Sequence, residues 1–201
     1  MSSLIHPTAI VAPSAQLGEG VSVGAYAIIE DDVVIGDNCA IHAQAQIKQY
    51  TRMGNGNTVH SFAIVGGTPQ DLKFHGEVSA MVIGDNNTIR EFATLHRGTE
   101  GGGALTSIGS NNLIMAYCHI AHDCKVGNNV VMSNSATLAG HVEVHDFAII
   151  GGLSAVHQFV RIGTHSFVGG MTGISMDLLP ICWLWATARV LTGPILWGCA
   201  A

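Results

Sequence analysis

An aliphatic residue returns at every sixth position over most of this chain, and the phase of that repeat limits the fold more than any other feature. The first run is Ile5, Val11, Leu17, Val23, Ile29, Ile35, Ile41, Ile47, Met53, Val59 and Val65. A short run follows at Ile83, Ile89 and Leu95. A third passes unbroken through Ile108, Ile114, Ile120, Val126, Met132, Leu138, Val144, Ile150, Val156, Ile162, Val168 and Ile174. Hexads of this kind mark a parallel β-helix, in which each short strand turns one aliphatic residue inward and small or turn-forming residues bend the chain at each corner. Three hexads complete one triangular coil, so the predicted fold class is all-β.

Composition agrees with a compact solenoid. Gly supplies 25 of the 201 residues, as corners with unusual backbone angles require, and aromatic residues only 6%, because a narrow prism interior has little room for rings. A net charge of −6 and the lack of any like-charge run argue against nucleic acid as the main partner. Cys39, Cys118, Cys124, Cys182 and Cys199 show neither metal-ligand spacing nor a disulfide framework, so a reducing, cytoplasmic compartment is expected. The hexads begin at Ile5 with no basic or long apolar stretch before them, so neither a secretory signal nor a membrane span is expected.

Two interruptions break the repeat, and a solenoid accepts insertions only as loops leaving its surface. Residues 66–82 delay the next rung by eighteen positions and carry Gln70, Asp71 and Lys73, which predicts a polar loop reaching outward. Residues 96–107 delay it by thirteen and contain three consecutive glycines, which predicts a mobile loop.

With eighteen residues per coil, side chains eighteen apart stack roughly 5 Å from one another along the axis. His122, Gly140 and Gln158 then share one column and Asp123 and His141 the next, with His119 and His157 on nearby coils. A neutral imidazole can take a proton from an attacking hydroxyl, and a neighbouring carboxylate can orient it and stabilise its charged form. A glycine lets a carbonyl oxygen approach a bare backbone N–H as an oxyanion donor. That inventory suits acyl transfer. The scattered His6, His42 and His145 read as ordinary solvated residues.

Five segments carry a more specific signal: QDLKFHGE at 70–77, IREFATLHRGT at 89–99, HIAHDC at 119–124, NSATLAGHV at 134–142 and AVHQF at 155–159. Together, over residues 1 to about 180, they resemble the UDP-N-acetylglucosamine acyltransferase family. The resemblance implies a left-handed parallel β-helix and a homotrimer with active sites in clefts between neighbouring subunits. It also implies transfer of a 3-hydroxyacyl group from acyl carrier protein to the glucosamine 3-hydroxyl of UDP-N-acetylglucosamine, at the start of lipid A synthesis, with no cofactor and no metal. On matching positions it makes His122 the general base, Asp123 its orienting partner and the Gly140 N–H the oxyanion donor. It assigns His119, His141, His157 and Gln158 to substrate binding or catalysis, and Gln70, Asp71 and Lys73 to the loop that holds sugar and acyl donor. Gly170 falls where the acyl chain is measured. Because acyl carrier protein is acidic, Lys73, Arg90, Arg97, Lys125 and Arg161 are the cations available to meet it.

The last residues depart from the family. After about Leu179 the hexads fail, and residues 181–201 read ICWLWATARVLTGPILWGCAA, with all three tryptophans of the chain. Read in the neighbouring frame, the stretch can encode MLAMGNRARVDGPNLVGLR, which resembles the family's next segment. The expectation is a β-helix domain over 1–180 and an out-of-frame tail over 181–201 in place of the family's helical domain, with Trp183, Leu184, Trp185, Ile195, Leu196 and Trp197 lacking a partner on the prism. Three other readings compete: another hexapeptide acyltransferase, a metal enzyme of the γ-class carbonic anhydrase type, and an inactive truncated solenoid. The first would act on a different amino sugar or draw on acyl-coenzyme A. The second needs three metal ligands, and the short His119 to His122 spacing is unlike that family's.

Overall fold

The computed structural model describes residues 4–185, and nearly all of its regular structure consists of strands two to four residues long. The strands stack in three parallel sheets of ten, nine and eight members. One sheet runs from Leu4–Ile5 to Trp183–Leu184, the second from Ile10–Val11 to Gly173–Ile174, and the third from Gln16–Leu17 to Arg161–Ile162. The chain visits the three in turn, so the molecule is the parallel β-helix that the hexads predict, with the left hand that the family resemblance implies.

The rungs form because each strand offers the interior two positions of the same parity. One is large, the other small. Ile29, Ile47, Val65, Leu95 and Leu138 are buried with Ala27, Ala45, Ala63, Ala93 and Ala136 two residues before them. Burying each large aliphatic side chain contributes about 1.5–3 kcal/mol.

At the corners the chain turns through the left-handed region of backbone space, and it does so without depending on glycine. Among the described residues, twenty-one besides glycine have positive φ, including Tyr26, Phe62, Phe92, Tyr117, Asp123 and His141. Each such residue costs about 1–2 kcal/mol. The cost is offset by a repeated hydrogen bond: the N–H of the left-handed residue donates to a carbonyl of the preceding coil. Examples are Gln44 to Ala25 at 2.9 Å, Ser135 to Ala116 at 2.9 Å and His141 to His122 at 3.1 Å. Rings at one corner also stack, Phe62 on Phe92 at 5.0 Å and Phe92 on Tyr117 at 4.9 Å.

A polar ladder runs inside the apolar prism. The side-chain oxygen Oδ1 of Asn57 accepts both the backbone N–H and the side-chain amide of Asn87, each at 2.9 Å. That of Asn87 accepts the Asn112 N–H at 2.9 Å, and that of Asn112 accepts the Val130 N–H at 2.7 Å. The amide groups donate to the carbonyls of Gly54, Gly84, Gly109 and Gly127. Every buried amide of the ladder is thereby satisfied, as its surroundings demand.

Both insertions are shorter than expected, because the flanking strands run into them. Ile64–Gly67 and Ala80–Ile83 leave residues 68–79 as the first loop, and Thr94–His96 and Leu105–Ile108 leave 97–104 as the second. The second loop departs from the mobile loop its glycines suggested. It contains a 3-10 turn at Glu100–Gly102, and Thr99 is 5% exposed. At the C-terminal end the sheet continues one rung past residue 180. Trp183–Leu184 pairs with Phe167–Val168, Leu184 packs against the core, and the rings of Trp183 and Trp185 lie 6.0 and 5.1 Å from that of Phe167. Those residues therefore do have a partner, because the aliphatic at 184 restores an inward position. The remainder of the frameshift reading, residues 186–201, lies outside the described residues.

Candidate active site

His122 and Asp123 occupy the corner between the strands His119–Ile120 and Lys125–Val126, where the turn presents consecutive side chains together. His122 Nδ1 lies 2.7 Å from Asp123 Oδ2, and the residues are 7% and 5% exposed. A carboxylate only accepts, so a hydrogen bond at this distance takes its proton from Nδ1 and leaves Nε2 as the ring nitrogen directed elsewhere. Asp123 is itself fixed. Thr99 donates its N–H to Oδ1 at 2.8 Å and its hydroxyl to Oδ2 at 2.6 Å.

Gly140 stands one coil further along against the His122 ring. A Cβ there would meet Nε2 at 2.8 Å and Cε1 at 2.7 Å, so only glycine lets that backbone approach the imidazole. The Gly140 N–H donates to no acceptor among the described residues. His141 completes the group: its Nε2 is 3.9 Å from Asp123 Oδ2, its ring meets that of His122 edge-on at 5.2 Å, and its other face stacks on Phe159 at 4.6 Å.

The remaining candidates divide. His119 accompanies Thr94, whose hydroxyl is 2.8 Å from Nδ1, and meets His96 edge-on at 4.8 Å. Burial holds His119 below the usual histidine range, the nearby His122 adding to the effect against an opposing hydrogen bond to the Thr94 backbone. Burial, with His119 and His122 close by, pushes His96 down to about 4. Both rings are therefore neutral near pH 7. His157 and Gln158 are exposed on the next coil, His157 Nδ1 resting 3.2 Å from the Gln158 carbonyl. Gly170 is at a different corner, between Phe167–Val168 and Gly173–Ile174 and beside the Gly152 carbonyl. Asp71 and Lys73 line a cleft of about 480 Å³ between the two loops, together with His75, Glu77, Thr99 and Glu100. Gln70 is exposed just outside that lining.

Sequence reasoning passed over Thr99, Thr106 and His96. The first and last stand in the quoted IREFATLHRGT segment, but the insertion breaks the eighteen-residue arithmetic that found the other columns. A second cavity, of about 390 Å³, is lined by Ile5, Val23 and Ile41 at the N-terminal end and holds none of the catalytic candidates.

Chemically the group suits proton transfer. Burial pushes the thiols of Cys118 and Cys124 up to about 11 and about 12, which removes them as nucleophiles at neutral pH. His122, Asp123 and His141 offer three ligand atoms within 4.8 Å of one another, the spacing a metal ion could use. The carboxylate oxygen concerned already accepts from His122 and from Thr99, so an ion would have to displace those bonds.

Comparison with known proteins gives a consistent result. The bacterial transferase hexapeptide (six repeats) family model matches residues 14–49 and 105–140. A relative from Campylobacter concisus, named acyl-(acyl-carrier-protein)–UDP-N-acetylglucosamine O-acyltransferase, is 46% identical over 89% of this chain and 68% of its own length. One of the same name from Xylella fastidiosa is 52% identical over 89% of this chain and 68% of its own. Among solved structures, LpxA from Acinetobacter baumannii superposes with a TM-score of 0.91 at 43% identity, covering 92% of this chain and 72% of that one. The UDP-N-acetylglucosamine acyltransferase from Campylobacter jejuni gives 0.86 at 49% identity, covering 89% and 70%.

Proposed function

The chain belongs to the family of UDP-N-acetylglucosamine O-acyltransferases, and from that membership we propose that it moves a 3-hydroxyacyl group from acyl carrier protein to the glucosamine 3-hydroxyl, with His122 as general base. It is an acyltransferase of lipid A synthesis. The single observation that supports the mechanism is the 2.7 Å bond from His122 Nδ1 to a buried carboxylate, with Nε2 turned toward Gly140.

Nε2 takes the proton of the sugar hydroxyl as its oxygen attacks the acyl thioester carbon. A C–O bond forms, and the carbonyl oxygen becomes an oxyanion opposite the Gly140 N–H. Asp123 stabilises the imidazolium without itself taking the proton. The C–S bond then breaks, and the thiolate leaving group recovers the proton from His122. Asp71 and Lys73 bind the substrates from the cleft, His119, His141, His157 and Gln158 contact them, and Gly170 bounds the acyl chain.

The working unit in this reading is a homotrimer in the cytoplasm. What supports the trimer is the outer surface of the first sheet, where Leu113, Val131, Ile149 and Phe167 form one apolar column in register. The third sheet faces water instead, with Lys125 bonded to Glu143 at 3.0 Å and Glu143 in register with Arg161. No helix among the described residues is long and apolar enough to cross a membrane.

The test is acyl transfer from a 3-hydroxyacyl carrier protein to UDP-N-acetylglucosamine by the whole chain and by His122→Ala. Loss of a general base lowers kcat about 10²- to 10⁴-fold. Transfer undiminished in the variant removes His122 from the role.

A further inference from the structure

We propose that Thr99 is a positioning residue for acyl transfer, the third member of a Thr99–Asp123–His122 chain, and that the loop carrying it ties the outer cleft to the base. The proposal rests on His122 acting as the base. Its starting point is what holds Asp123 in place. Asp123 is left-handed, with φ of 60°, and its N–H does not donate to a carbonyl of the coil before it. The N–H donates instead to the Thr106 hydroxyl at 2.7 Å, and the carboxylate is gripped by Thr99 through both oxygens. The side chain of Asp123 is thus held by Thr99 of the second loop, and its backbone by Thr106 in the strand that follows that loop.

Thr99 is held in turn. Its carbonyl accepts the N–H of Gly102 at 3.0 Å and of Ala104 at 2.7 Å, which folds the loop back over the carboxylate. Closure at that depth requires glycine at 102, where a Cβ would stand 2.0 Å from the Asp123 carboxyl carbon. On the outer side, Glu77 accepts the Glu100 N–H at 3.3 Å and the His75 N–H at 2.8 Å, joining the two loops. Glu77, Glu100 and Thr99 also line the cleft with Asp71 and Lys73. A polar path therefore leads from the cleft wall to His122, and every residue along it is hydrogen-bonded to the next or adjacent in sequence.

The physical effect is on orientation. Asp123 Oδ2 serves both His122 and Thr99, so a carboxylate anchored at both oxygens cannot rotate away from the imidazole. Without the hydroxyl, the carboxylate turns more freely, and Nε2 spends less time aimed at its substrate. The change acts on the carboxylate and leaves Asp71 and Lys73 of the cleft untouched, so binding of the sugar nucleotide is expected to be largely kept.

The experiment compares the wild-type chain with Thr99→Ala, Thr99→Ser and His122→Ala. Thr99→Ala is expected to lower kcat about ten- to hundredfold, the rate equivalent of one hydrogen bond to a charged group, with KM for UDP-N-acetylglucosamine within about twofold. Thr99→Ser restores most of kcat. The low-field proton resonance of His122 Nδ1–H, present in the wild type and in Thr99→Ser, shifts or broadens in Thr99→Ala. The proposal is overturned if Thr99→Ala keeps kcat within about twofold while His122→Ala is inactive. It is equally overturned if Thr99→Ala and Thr99→Ser lose activity alike and in step with their melting temperatures. An active His122→Ala would instead bring down the underlying base assignment, which separates the two failures.

Discussion

At the scale of single residues, the site depends on one missing side chain and on several neutral histidines. Gly140→Ala puts a methyl group where the His122 ring now lies, with Nε2 at 2.8 Å. The ring must move, so kcat should fall about a hundredfold, the typical effect of disturbing an oxyanion-type contact, while circular dichroism remains that of the parent. His96 is a different case. It is 7% exposed, its Nδ1 has no partner, and its pKa is lowered to about 4. Its folded pKa lies below the unfolded value of about 6.5, so the unfolded chain binds the extra proton first as pH falls. The stability this neutral ring contributes is complete above about pH 6.5 and is lost progressively toward about pH 4, on the order of 3 kcal/mol in all. Denaturant unfolding across that window should show stability falling with acidity, and His96→Gln should flatten the slope by up to about one proton. An unchanged slope would mean that His96 titrates normally.

At the scale of elements, the rungs were legible in the sequence because burial repeats with the coil: every sixth residue from Val23 to Val65 is buried, at the phase the hexads assign. The columns His122–Gly140 and Asp123–His141 were legible for the same reason, both lying on unbroken coils. Thr99 and Thr106 were not, since the coil before Asp123 is 25 residues long and loop geometry carries no period; three glycines suggested freedom, whereas one of them, Gly102, permits close packing over Asp123. The corners were legible only in part, because aromatic residues such as Phe92 occupy left-handed positions that composition assigns to glycine. That yields an inverted order of substitution at Phe92, whose φ is 60°. Phe92→Gly loses the two stacking contacts but relieves the backbone, whereas Phe92→Ala loses the same contacts and keeps the strain. Thermal melts should rank the glycine variant above the alanine variant by about 1 kcal/mol, the reverse of their usual order in regular structure.

At the scale of the whole molecule, the three outer faces differ, and their difference has a measurable consequence. Ile149 is 38% exposed in the apolar column of the first sheet. In the proposed trimer Ile149→Asp would bury three carboxylates against apolar neighbours, so sedimentation should report a trimer for the parent and monomers for the variant, with transfer activity reduced accordingly. The acyl-transfer chemistry proposed for the prism runs through His122, Asp123 and Gly140 alone, so dialysis against a chelator should leave the rate unchanged; a rate restored only by added zinc would favour the metal reading of the His122, Asp123 and His141 group. The interior asparagines bear on a longer timescale. Asn57 meets Asn87 across the first insertion, thirty residues apart, and Asn87 meets Asn112 across the second, twenty-five apart. Aliphatic contacts would tolerate a slipped pairing at these two places, where the chain loses count; a directional amide pair does not. The first outer loop can thereby change length and sequence, and the second can do so wherever Thr99 and Gly102 keep their hold on Asp123, without any neighbouring coil losing its place.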